Sequence, residues 1–137
     1  MTLARPPAVA GAFYPADPAT LAHDVQTYLD AVAGVRPTIR SAPPKAVIVP
    51  HAGYVYSGPV AATAFARLAP LKGTVTRVVL LGPCHRVGVA GLALSSADQF
   101  ITPLGPIPVE HRFDDALLAL AQVQVYDATH SAEHSLE

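Results

Sequence analysis

Apolar residues recur at helical spacing at Leu21, Val25, Tyr28, Leu29 and Val32, behind an Asp17-Pro18 pair that reads as an N-cap followed by proline at the first helical position. The pattern predicts a helix from Pro18 to Ala33. Gly34 is its expected stop, and Arg36 to Pro44, with three prolines, is expected to be an irregular connector. Lys45 to Val49 is a short unbroken run rich in β-branched residues, bounded by Pro44 and Pro50, which suits a central strand covered on both faces. After a loop carrying His-Ala-Gly-Tyr, Gly58 and Pro59 are expected to open a second helix that runs through Val60, Phe65 and Leu68 to about Ala69. Thr74 to Leu81 supplies another β-branched, apolar run.

Strand, helix and strand in this order make a βαβ unit, with parallel strands and a right-handed crossover. Further along, Val89 to Ser95 is a predicted strand, Phe113 to Leu120 a helix and Gln122 to Tyr126 a last short strand. The fold class is therefore α/β, a mixed and largely parallel central sheet flanked by helices. The chain closes on Ser131-Ala-Glu-His-Ser-Leu-Glu, which looks like the opening of a helix with no capping glycine after it, so the sheet is expected to be incomplete.

Composition narrows the function classes. At 137 residues the chain has room for one ordinary domain or part of one. Hydrophobic residues make up 51% and charged residues 14%, so much of the chain must be buried. The longest apolar stretches, Ala46 to Val49 and Val78 to Leu81, are far shorter than the roughly 20 residues a bilayer-spanning helix needs. Met1 to Gly11 has no basic segment followed by an apolar core, so it does not read as a secretory signal and a cytoplasmic location is expected. Nine basic and ten acidic residues without a run of like charge give no footprint for nucleic acid or an anionic membrane. There is no internal repeat, and 14 prolines, about twice the usual share, predict stiff loops. A single cysteine, Cys84, excludes an internal disulfide and multi-cysteine zinc modules, so any metal must rest on histidines and carboxylates.

His51 follows the first predicted strand and His85 the second, and ligands of open α/β sheets gather beyond the carboxyl ends of strands. Pro50, Gly53 and Gly58 in one loop and Gly82, Pro83 and Gly88 in the other favour fixed, close-packed backbones, which suit metal ligands and acid–base groups alike. Spacing leaves both roles open, beside the plainer one of a loop histidine facing solvent. Cys84, adjacent to His85, reads as a packing residue; a catalytic Cys-His pair is the alternative, disfavoured because neighbours in an extended segment point opposite ways. His130 and His134 are four apart and on a helix would share a face, but they lack the glutamate of His-Glu-x-x-His. His130, His23 and His111 are expected on exposed faces. Tyr54 and Tyr56 either pack on the neighbouring helix or form a wall that stacks on an aromatic ligand. Asp98 either approaches the same cleft or caps a turn.

Three segments carry a resemblance: Ala10-Gly-Ala-Phe-Tyr-Pro-Ala-Asp-Pro, Pro50-His-Ala-Gly-Tyr-Val-Tyr-Ser-Gly and Leu81-Gly-Pro-Cys-His, with Glu133-His-Ser-Leu-Glu similar to a fourth block. In these the chain resembles the Memo family, including its prokaryotic members known as AmmeMemoRadiSam system protein B. The blocks span the chain in family order, and by resemblance residues 1–137 form the N-terminal part of a single Memo-like domain. The family shares its fold with class III extradiol dioxygenases, in which two histidines and a carboxylate bind iron(II) and leave positions open for oxygen and substrate. The resemblance implies His51 and His85 as metal ligands for iron(II) or copper. It puts the third ligand, a cysteine in the human member and a glutamate in the dioxygenases, beyond these residues, and it places Cys84 where the family usually has a small polar residue. It also implies that His134, with Glu133, lies near the cleft as an acid–base or hydrogen-bonding group.

Two functions follow as expectations. One is a metal-dependent, dioxygenase-like oxidoreductase acting on an unknown small molecule or peptide, with other AmmeMemoRadiSam system proteins as possible partners. The other is a non-enzymatic module that grips a peptide in the same cleft, as proposed for animal Memo proteins and phosphotyrosine ligands, with Arg86 as the cationic anchor beside Tyr54 and Tyr56. A third expectation is that these residues alone leave open sheet edges and uncovered apolar surface.

Overall fold

The protein is described by a computed structural model over residues 1–33 and 42–137, so the expected stop at Gly34 and most of the Arg36 to Pro44 connector lie outside the described residues. The chain divides into two units, Gly11–Leu80 and a second formed by Met1–Ala10 with Leu81–Glu137.

In the first unit, helix α1 spans Pro18–Ala33, as its periodicity predicts. Asp17 is the cap: its Oδ1 accepts the Thr20 N–H at 2.8 Å and the Thr20 hydroxyl at 2.6 Å, which satisfies a helix-end donor and holds the Asp17 carboxyl below its usual pKa. Helix α2 spans Tyr54–Phe65 and passes into a 3-10 helix over Ala66–Leu71. It starts one turn before the Gly58-Pro59 pair that was expected to open it. The reason is local: the Gly53 carbonyl accepts the N–H groups of Tyr56 and Ser57 at 2.9 and 3.0 Å, and the Tyr54 N–H donates to the Phe13 carbonyl at 2.7 Å. Those bonds nucleate the helix ahead of Pro59, which then lies inside it. Gly58 instead serves close packing, because a Cβ there would stand 2.6 Å from the Tyr28 ring of α1.

The predicted strands Lys45 to Val49 and Thr74 to Leu81 carry no ladder among the described residues, so the expected βαβ unit does not form there. A strand is a hydrogen-bonded pairing, and apolar, β-branched composition supplies the side chains but not the partner.

The second unit holds the sheets. Strands β1 (Ala4–Arg5), β3 (Gln99–Thr102) and β4 (Gly105–Pro108) form one sheet in the order β1-β3-β4, and β2 (Leu92–Leu94) pairs with β5 (Val123–Val125) in another. β1 runs parallel to β3 with Arg5 opposite Phe100, and β2 runs parallel to β5. The β3–β4 hairpin is antiparallel, with Thr102 opposite Gly105 across a two-residue turn. Pro106 and Pro108 both lie in β4, an edge strand, where a missing N–H costs no ladder bond. That hairpin and β1 were not anticipated from the sequence. β2, β5 and helix α3 (Asp114–Leu118) fall inside the predicted segments but are shorter. Helix α4 covers Ala128–Ser131 and ends where the sequence suggested a helix would open, because residues 133–137 take a turn held by side-chain bonds described below.

Candidate metal centre

Glu133 organises the site within the second unit. Its carboxylate is almost fully buried, and it sits on a non-helical backbone just past α4. Oε2 accepts the backbone N–H of His85 at 2.5 Å, and Oε1 lies 2.8 Å from Nδ1 of the His85 ring. Oε1 also accepts the N–H groups of His134 and Ser135 at 2.8 and 3.0 Å. Burial pushes the carboxyl pKa up, but hydrogen bonds from the His85 N–H and ring and from the Ser135 and His134 N–H groups outweigh it and hold the pKa at about 2.

An ionised carboxylate only accepts hydrogen bonds, so the His85 Nδ1 carries the proton in this contact, and in the neutral ring the lone pair is then on Nε2. The His134 ring stacks on His85 with centroids 4.5 Å apart and planes 23° from parallel, and its Nδ1 stands 3.3 Å from the same Oε1. One carboxylate oxygen thereby sets the orientation of two imidazoles. A carboxylate behind the distal nitrogen is the usual support of a metal-ligating histidine, fixing tautomer and raising basicity.

The Leu81-Gly-Pro-Cys-His segment reaches this carboxylate because Gly82 has no side chain: a Cβ there would lie 2.5 Å from Ser135 Oγ and 2.7 Å from a methyl of Leu136. Cys84 does not pack, contrary to its sequence reading. It is an exposed free thiol, since residues 81–86 run along the surface and are held at the His85 backbone. Arg86 is exposed too.

His130 and His134 do not share a helix face, because α4 ends at Ser131. Nor are His130 and His111 on exposed faces. Nε2 of His130 donates to the Ala93 carbonyl at 3.1 Å, and its ring meets Phe100 edge-on. His111 lies between the Asp114 carboxylate at 2.7 Å and the Ala97 carbonyl at 3.0 Å, and the hydrogen bond to Asp114 raises its pKa. Both histidines brace loops. His23 is exposed as expected. Asp98 binds backbone: Oδ2 accepts the Leu3 N–H at 2.6 Å, and its own N–H donates to the Leu3 carbonyl at 2.8 Å.

In the first unit, His51 lies in the loop just ahead of α2, whose N-cap is Gly53. Tyr54 and Tyr56 are on the first turn of α2 rather than in the loop. Tyr54 packs its ring 5.3 Å from the buried Tyr14, while Tyr56 is exposed.

Within the second unit His85 and His134 each offer a ring nitrogen to a metal ion, and His51 of the first unit carries the same kind of donor. The donor chemistry fits: imidazole nitrogens suit iron, copper or zinc rather than calcium or magnesium, which prefer all-oxygen sites. Sequence reasoning missed Arg5, whose side chain is buried and meets both the Glu133 backbone and the Glu137 carboxylate. The one signal was a lone charge in an otherwise apolar N-terminal stretch.

A family model described as Memo-like protein matches residues 5–137. A MEMO1 family protein of Methanopyrus kandleri is 39% identical over 138 residues, covering 97% of this chain and 48% of its own length. One from Aquifex aeolicus is 35% identical over 133 residues, covering 97% and 46%. The Protein memo-1 homolog of Caenorhabditis elegans is 36% identical over 129 residues, covering 93% and 35%. The chain spans about half the length of the prokaryotic relatives it matches. Set beside the histidine and glutamate constellation, these matches place the chain in the Memo-like protein family.

Proposed function

We propose that this chain supplies the metal-binding histidines of a dioxygenase-like oxidoreductase centre, with His51 and His85 as ligands for iron(II) or copper and His134 as the adjoining acid–base group. The observation that carries the reading is the buried Glu133 carboxylate on Nδ1 of His85, which in the neutral ring leaves the lone pair on Nε2. Such an arrangement costs desolvation of a charge and is retained where ring orientation matters.

Bound there, the ion would supply Lewis acidity and one-electron chemistry towards oxygen or an organic substrate. The residues of this chain have separate tasks. Glu133 keeps the Nδ1 proton of His85 in place. His134, stacked on His85 and only partly exposed, can hold or release a proton at Nε2 without moving its ring. Exposed Tyr56 and Arg86 are the side chains by which an aromatic or anionic substrate, small molecule or peptide, would be gripped.

Anaerobic reconstitution with iron(II) or copper, read by elemental analysis, tests the proposal. Stoichiometric uptake is expected for the wild type and for His134→Ala, and none for His51→Ala/His85→Ala. Equal uptake by wild type and double variant would overturn the ligand assignment.

A further inference from the structure

We infer that Arg5 is a positioning residue for this centre, fixing the backbone of Glu133 so that its carboxylate can orient His85. The inference rests on the metal-centre reading and extends it to a residue well separated in sequence from the histidines.

Glu133 is held at two points. Its carboxylate meets His85 and His134, and its carbonyl accepts a hydrogen bond from the Arg5 guanidinium. No helix holds the backbone between them, since α4 stops at Ser131. Arg5 Nε donates to the His130 carbonyl at 2.7 Å, so the same side chain grips the chain before and at Glu133. The guanidinium is anchored in turn. It pairs with Glu137 Oε1 at 2.9 Å, with side chains 5% and 6% exposed, and lies over the Phe100 ring at 4.7 Å. Glu137 also accepts the N–H groups of Ala8 at 2.7 Å and Val9 at 3.2 Å. Parallel pairing of β1 with β3 puts Arg5 opposite Phe100 and fixes where the fork starts.

An ion pair serving stability alone would need one charge opposite another. Here the guanidinium serves two carbonyls and a carboxylate in different directions, which uses the planar array of five donors and is beyond the single nitrogen of lysine. Loss of that fork should let residues 130–134 drift and release the His85 ring from a single tautomer.

The test uses the full chain in three forms: wild type, Arg5→Lys, and Arg5→Met/Glu137→Gln. The last removes both buried charges together, so that folding is not lost to an unpaired one. Nitrogen-15 NMR of the imidazoles, above the pH range of histidine titration, reads the His85 tautomer, and titration with cobalt(II) alone reads affinity. Wild type is expected to hold the proton on Nδ1. In both variants, folded by their amide spectra, a mixture of tautomers and about 10- to 100-fold weaker cobalt(II) binding are expected. Variants that keep the Nδ1–H tautomer and wild-type affinity would overturn the role of Arg5. If the wild type takes up no cobalt(II), the metal reading falls, and the tautomer alone still decides for or against Arg5.

Discussion

Arg5 and Glu133 carry charges yet are only 6% and 3% exposed, whereas apolar Ile48, Val79 and Leu81 stand 101%, 83% and 74% exposed. Polarity alone would have reversed the two groups. Arg5 and Glu133 are buried because the guanidinium and the carboxylate each meet several hydrogen-bonding or charged partners, and that partnering offsets desolvation. Ile48, Val79 and Leu81 lie in runs of suitable composition that have no hydrogen-bonded strand beside them among the described residues. Burial follows the availability of a complementary surface, of which hydrophobicity is one requirement.

The sharpest way to break this contrast is Arg5→Met. It leaves Glu137 buried without its cation, and urea unfolding should register a loss of about 3–5 kcal/mol. If the loss is within the range of a surface substitution, the ion pair is not a buried one.

Next in size is acid. Glu133 has a folded pKa of about 2 against an ordinary 4.5, so its contribution is fully present above 4.5 and is lost as pH falls through about 2. The contribution at stake is at most about 3 kcal/mol by proton linkage. The stability curve of the wild type should therefore fall more steeply over that window than that of Glu133→Gln, and parallel curves would remove Glu133 from the account.

Gly82→Ala tests the packing of the His85 segment. Its Cβ must displace Ser135 and Leu136, at a cost of about 1–3 kcal/mol typical of overpacking, visible as a lowered denaturation midpoint. The smallest effect belongs to the other side of the comparison: Val79→Thr should change stability by no more than about 0.5 kcal/mol. A larger loss would mean that the run is covered in solution.

Helix α1 was legible in the sequence because its signals are local, an Asp17 cap, Pro18 behind it and a periodic apolar face. The start of α2 was not, since the bond from Tyr54 to the Phe13 carbonyl joins residues far apart in the chain. The same division runs through the site. His85, Glu133 and His134 stood out as motif residues, but their arrangement depends on one carboxylate bonding a segment 48 residues away. Arg5 was passed over because nothing near it in sequence marks a buried fork whose acceptors are 125 and 128 residues distant.

The amino-acid order by itself determined the α/β class, the position of α1, the family and the residue types able to bind a metal, since each is written in short-range pattern or motif. Tertiary structure alone decided which apolar runs become strands, which nitrogen of His85 carries its proton, and why Arg5 is buried. These depend on pairing between distant groups, and hydrogen bonds and ion pairs are properties of two partners held in place.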